Sequence, residues 1–383
     1  MKDYLREAER IAGELTSLRR AFHMDPELGN RETHTAVRIE AALKGWGIPA
    51  RRLLDTAVVG VLKGGLPGPV AALRADMDAL PLTEATGVDF ASKNPGVMHA
   101  CGHDIHMAAA LGAARLLSEG REALPGSVVF LFQPDEEGRG GAQRMIDAGA
   151  LEGVDAVFGA HVSPDLPLGH VGVRYGKFYA ASDTFRITVH GVGAHGAERE
   201  KGVDALGAAA ALVSRLIDLP RALPDERAVL SVGMFHAGTA ENALADRAEF
   251  AGIMRTLGPA ARTAMKRLFR QAADEVVSAW GATADVTLRE SYPGVVNDDA
   301  MTALVERAAG RLLGGDAVRV IDRPTMTTED FGYFLMERPG SFYHIGAGCG
   351  LPLHNPAFLP DDRAAAIAAA VHAAVIEAFL RNE

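Results

Sequence analysis

Between about residues 181 and 293 the hydrophobic pattern changes its period in a fixed order, and this constrains the fold more than any other feature. Residues 184–190 alternate as a strand does, 203–219 carry helical spacing, and 228–236 and 247–255 alternate again. Pro259, in the favoured first turn, opens a long helix to about Trp280, and 283–289 alternate once more. The order β-α-β-β-α-β is ferredoxin-like. On either side the pattern is different. Helical spacing covers 3–22, 33–45, 105–118, 299–313 and 362–381, and short β-branched or apolar runs fill 58–62, 70–75, 128–132 and 156–160. Strand–helix alternation of that kind predicts an α/β sheet covered by helices. The chain therefore reads as two domains: an α/β domain from 1–180 and 294–383, and a smaller ferredoxin-like domain inserted at 181–293.

Composition narrows the partners. The net charge is -10 and no basic block occurs, so a nucleic acid or an anionic membrane surface is not expected. No uninterrupted apolar run approaches the roughly 18–20 residues of a membrane span. The N-terminal stretch alternates charges with Leu and Ile and has no apolar h-region. Two cysteines, Cys101 and Cys349, make no disulfide framework, so a reducing compartment is expected. Together these features predict a soluble, cytoplasmic protein.

Four segments carry chemistry. His99-Ala-Cys101-Gly-His103-Asp104-Ile-His106 opens the Ala-rich helix, and Gly102 permits a turn that aims a thiolate and an imidazole at one ion. Asp135-Glu136-Glu137 follows a predicted strand. Neighbouring carboxylates suit metal-assisted hydrolysis, one ligating while the other takes a proton from water. His161 ends the next strand, and His354 lies in Leu353-His354-Asn355 near the C-terminus. Such strand ends are where α/β sheets gather ligands. One thiolate, one carboxylate and three imidazoles suit Zn²⁺, Mn²⁺, Co²⁺ or Ni²⁺ alike.

Taken in order, LRADMDALP, MHACGHDIHMAAALGAA, FLFQPDEEG, GAHV, GAHG, TTEDFGYF and LHNPAF resemble the aminoacylase/carboxypeptidase family of metallohydrolases, in its amidohydrolase branch. That branch includes hippurate hydrolases, auxin–amino acid conjugate hydrolases and N-acyl-amino acid deacylases. The resemblance spans about residues 20–380. It implies a zinc-exopeptidase-like catalytic domain, a lid domain that mediates homodimerisation, and one or two divalent ions, with Zn or Mn ahead of Co or Ni. It implies Cys101, His103, Glu137, His161 and His354 as ligands, Glu136 as general base, and Asp78 as a residue orienting a ligand. Related carboxypeptidases have a ligand His where this chain has Asp76. From the lid, His195 matches a histidine that polarises the substrate carbonyl, often from the partner subunit. Asn242 and Arg255 match groups that hold substrate, and a guanidinium suits a free carboxylate.

The implied reaction is metal-dependent hydrolysis of N-acyl amino acids. Dipeptidase, carboxypeptidase or N-acetyl-diaminopimelate deacetylase action is the alternative within the family. Two departures fall on the implied substrate side: Gly196-Ala-Glu198 follows His195 where a small residue and Pro are usual, and Ala-Leu-Ala follows Asn242. Two further readings compete. A thiol hydrolase would use Cys101 as nucleophile and His103 as base, and a binding protein would keep the scaffold without turnover.

Overall fold

The computed structural model describes residues 2–223 and 227–383. They form two compact units. The larger takes the chain up to Gly176 with Asn297–Asp322 and Tyr333–Glu383, and the smaller takes Lys177–Val296 with Arg323–Gly332. The sequence boundaries were 180 and 294, and left 323–332 in the larger domain. The structure instead ties that segment to the smaller unit's first residues: Ala180 N–H donates to Thr327 O (3.0 Å) and Thr325 N–H to Phe178 O (2.9 Å).

In the larger unit an eight-stranded sheet runs in the order Ala50–Leu53, Ala57–Lys63, Pro125–Gln133, Leu66–Asp76, Ala156–Ser163, Gly340–Gly346, Val171–Val173, Val318–Val320. The central four strands are mutually parallel, and antiparallel pairing begins outside them. Parallel strands covered on both faces should be apolar throughout, and every residue of Ala156–Ser163 is buried. The C-terminal ends of the central strands deliver Asp76, Gln133, Ser163 and Gly346 to one edge.

Two Ala-rich helices, His103–Ser118 and Arg363–Leu380, pack in the core against each other and against Ala12–Met24. Small side chains let the axes close up: a Cβ on Gly112 would stand 2.6 Å from the Cβ of Ala369. By length and composition Arg363–Leu380 is apolar enough to cross a membrane, a match the run of residues alone did not suggest. The fold uses it as a core helix, with residues from Ala364 to Leu380 buried almost throughout.

The smaller unit has the expected order. Its four-stranded antiparallel sheet runs Thr283–Glu290, Ala181–His190, Arg247–Thr256, Ala228–Ala237, and the helices Ala205–Ile217 and Pro259–Ala279 cover one face. Apolar residues at alternate strand positions, Phe185, Ile187 and Val189, meet Leu212, Met265 and Phe269 in a separate core.

Candidate metal centre

Four loops and strand ends bring the donors together. Gly102 (φ 88°) precedes the helix His103–Ser118, and a Cβ there would lie 2.4 Å from Val162 Cγ2, so only glycine fits. That turn sets the Cys101 sulfur 3.3 Å from His161 Nε2 and 3.4 Å from His354 Nε2. His354, itself left-handed at φ 62°, is held by its N–H on Ala100 O (2.8 Å), and its Nε2 lies 2.9 Å from Glu137 Oε1. The ligand atoms of Cys101, His103 and His161 lie within 4.8 Å of one another, as do those of Cys101, Glu137 and His354 and of His103, Glu136 and Glu137. All but His354 are largely buried; that side chain is 52% exposed and marks the open side.

Hydrogen bonds fix which imidazole nitrogen faces the cluster. His103 Nδ1 donates to Asp78 O (2.8 Å) and His161 Nδ1 donates to Val162 O (2.7 Å). Each Nε2 is thereby the nitrogen left facing the centre, the one through which these imidazoles would ligate. His103 Nε2 is buried with no hydrogen-bond partner among the described residues. Asp78 also accepts the Glu137 N–H through Oδ2 (3.0 Å), so one residue steadies two neighbouring donors.

Electrostatics favour a cation here. Burial alone would lower the His103 pKa, but Asp76, Asp78 and Glu137 outweigh it and raise it to about 10. Burial pushes Glu137 up, yet His354 and His103 hold it below the usual carboxylate range. Burial, then Glu137 and Glu136, push the Cys101 thiol well up. A thiol so placed is a poor free nucleophile, which opposes the thiol-hydrolase reading. A divalent ion fits the donor set, since it would favour the thiolate and occupy the unpartnered Nε2.

Sequence reasoning passed over Asp76 and His106 as site residues. Asp76 takes Arg74 Nη1 on Oδ2 (2.7 Å) and His106 Nδ1 on Oδ1 (2.6 Å), while His106 Nε2 accepts the Val162 N–H (2.9 Å). Both carboxylate oxygens and both ring nitrogens are therefore engaged behind the candidate ligands. The signal was present: His106 follows His103 by three positions and so shares its helix face.

In the smaller unit, His195 and Asn242 come together. Gly196 N–H donates to Asn242 O (2.8 Å), and His195 bridges Ala243. Both are exposed. Arg255 is not with them. Its Nη1 donates to Ser182 Oγ (2.6 Å) at the far end of the strand Arg247–Thr256, roughly 27 Å along at about 3.4 Å per residue.

A buried cluster of thiol, imidazole and carboxylate at the ends of parallel strands defines a metal-dependent hydrolase. Residues 72–378 match the profile of Peptidase family M20/M25/M40, and the chain belongs to that family. It is 39% identical to the N-acetyl-L-cysteine deacetylase of Bacillus subtilis, over 92% of this chain and 84% of that one. It is 37% identical to thermostable carboxypeptidase 2 of Saccharolobus solfataricus, over 94% and 93%. Among solved structures it resembles a dinuclear metal-binding peptidase of the M20 family from Bacillus subtilis, with TM-score 0.89 and 35% identity over 98% of this chain and 100% of that one.

Proposed function

We propose that this chain hydrolyses the amide bond of N-acylated amino acids, releasing a carboxylic acid and an amino acid. The carrying observation is the convergence of Cys101, His103, Glu137, His161 and His354, with the Nε2 atoms of His103 and His161 turned to the centre. These five residues would hold one or two divalent ions, Zn or Mn first and Co or Ni as alternatives. When bound, such ions polarise a carbonyl and make water more acidic. Asp78 holds His103 and the Glu137 amide in place. Glu136, buried beside Glu137, is the general base: it takes a proton from the attacking water and returns it to the departing nitrogen as the C–N bond breaks. Arg255 suits the substrate carboxylate, Asn242 the amide, and His195 the developing oxyanion.

Because His195 and Asn242 stand at the opposite end of their sheet from Arg255, one lid cannot offer all three at one point. This supports a homodimer through the smaller domain, in which His195 and Asn242 serve the partner's centre. A reducing compartment such as the cytoplasm keeps Cys101 a thiol. The similarity to a carboxypeptidase favours a second reading, cleavage of peptides at a free C-terminal residue.

The test is hydrolysis of N-acetyl, N-benzoyl and indole-acyl amino acids beside dipeptides, with each ion restored after chelation. Activity on N-acyl amino acids that is lost with chelator and regained with one ion is expected. Turnover of dipeptides alone would favour the second reading, and no turnover of either class would sink both.

A further inference from the structure

The segment 27–33 contains no proposed ligand, yet it grips the turn that carries Glu136 and Glu137. Asp135 begins that turn in the left-handed region (φ 60°), which non-glycine residues adopt only when the surroundings hold them there. Its N–H donates to Glu32 Oε1 (3.0 Å), and the other oxygen of Glu32 accepts the Thr56 hydroxyl (2.8 Å). Glu32 is fully buried. The Asp135 carboxylate accepts from Asn30 Nδ2 and from the Arg139 N–H. No slack remains, since a Cβ on Gly29 or Gly138 would stand 2.1 Å from Asp135 Oδ1.

The grip is itself anchored. Leu28 bridges Ala79, whose N–H donates to Glu27 O (2.8 Å), so 27–33 is fastened to the segment that carries Asp78. The Glu27 carboxylate accepts the Thr35 N–H (2.8 Å) and the Thr33 hydroxyl (3.0 Å) at the start of the next helix. From the other side Asp78 holds the Glu137 N–H. Glu136 lies between two restrained amides.

We propose that Glu32 is a positioning residue for Glu136: by holding the Asp135 amide it fixes the direction in which the base presents its carboxylate. The proposal rests on the general-base role given to Glu136 above. Misplacement of a reacting group by about 1 Å can cost on the order of 10²-fold in rate, so a fixed turn matters to proton transfer more than to binding. Burial, with a contribution from Asp78, raises the Glu32 carboxyl to about 7, against the hydrogen bonds from Thr56 and Asp135. Either form can do the work. The acid keeps one oxygen for the Asp135 amide and can give its proton to the Thr56 hydroxyl oxygen. A neutral isostere should therefore serve.

The experiment compares Glu32→Ala, Glu32→Gln and Thr56→Val for kcat, KM, metal content and amide exchange across 134–140 in the metal-free protein. Glu32→Ala is expected to lower kcat on the order of 10²-fold with KM and metal content held, and to speed exchange at 135–138. Glu32→Gln is expected to restore most of the rate, and Thr56→Val to lie between. Unchanged kcat or unchanged exchange in Glu32→Ala, metal loss that tracks its activity loss, or Glu32→Gln as slow as Glu32→Ala would overturn the proposal. Should Glu32→Ala not fold, the other two decide: near-native Glu32→Gln with a slowed Thr56→Val supports it, and equal rates in the two overturn it. Full turnover in Glu136→Gln would remove the general base and this proposal together, whereas full turnover in Glu32→Ala removes this proposal alone.

Discussion

The Nε2 atom of His161 lies 3.3 Å from the sulfur of Cys101, and both are buried. Burial and the nearby Glu137 and Glu136 push the Cys101 thiol well above its ordinary value, while burial holds His161 well below its own. His161 is thus a ready lone-pair donor, but Cys101 must lose a proton to ligate. His103, raised to about 10, must lose one as well, so ion affinity should rise with pH and binding should release more than one proton. Calorimetric titration in buffers of differing ionisation enthalpy at several pH values measures both. Pronounced affinity with no pH dependence would show that the thiolate is not a ligand. Cys101→Ser should weaken affinity by at least the roughly 10- to 100-fold seen on losing an outer partner of a ligand.

Glu136 and Glu137 are adjacent but are expected to differ on substitution. Glu137 lies against His354 and Cys101, so Glu137→Gln should reduce bound metal. Glu136→Gln should retain it and lose on the order of 10² to 10⁴ in kcat. Metal analysis beside steady-state kinetics separates them, and equal metal loss in both would undo the division of roles.

A buried ion network behind the helix His103–Ser118 should control stability. Arg19 Nε lies 2.8 Å from Asp104 Oδ2, and His23 Nδ1 lies 2.8 Å from the same oxygen, with all three side chains buried. Asp104→Asn removes one of the two carboxylates that face Arg19, leaving Asp362 Oδ1 on Nη1 (2.9 Å), and takes the buried charge from His23, so it should cost on the order of 3 kcal/mol in denaturant unfolding. Burial alone would lower His23, but the hydrogen bonds to Asp104 and Glu84 outweigh it and raise it to about 9. A raised histidine stabilises the fold fully below its unfolded value near 6.5, and that contribution is lost as pH rises through about 9. Stability should fall across that window, and His23→Gln should flatten the dependence. A wild-type profile that is level from pH 6 to 9 would contradict the assignment.

The sequence exposed the parts of this site whose chemistry is carried by residue type, and hid the parts carried by backbone. The segments bearing Cys101, His103, His161, His354 and the neighbouring Glu136 and Glu137 were legible because thiol, imidazole and carboxylate at strand ends are few, while the choice of Glu137 as ligand came from the family resemblance. Glu32 was not, because a buried carboxylate on a left-handed amide has no signature until Asp135 is seen at φ 60°. The insertion was legible because strand and helix periods differ. The return of Arg323–Gly332 to the smaller unit was not, because it is fixed by backbone hydrogen bonds at Phe178 and Ala180 and not by apolar spacing.

Gly102→Ala tests the turn directly. At φ 88°, with Val162 Cγ2 in the space a Cβ would need, alanine must move the Cys101–His103 backbone. Metal content should fall along with stability, whereas alanine at Gly96, also at positive φ but in open space, should leave metal content unchanged and lower the unfolding free energy only by the backbone cost of roughly 1–2 kcal/mol. Full metal loading of Gly102→Ala would show that the turn does not aim the ligands.

The separation of His195 from Arg255 gives a test of subunit exchange. His195 and Asn242 sit beyond one end of the strand Arg247–Thr256 and Arg255 sits at the other. If each centre takes Glu136 from one chain and His195 from its partner, Glu136→Ala and His195→Ala chains are each inactive as homodimers. In a mixed dimer, the centre on the His195→Ala chain has its own Glu136 and receives His195 from the other subunit, so activity should return on mixing. The other centre lacks both groups and stays inactive. Co-purification of differently tagged chains isolates the mixed species for assay. Recovery there, absent from either homodimer, is expected; a mixed dimer as inactive as its parents would place His195 in the centre of its own chain, or outside the reaction.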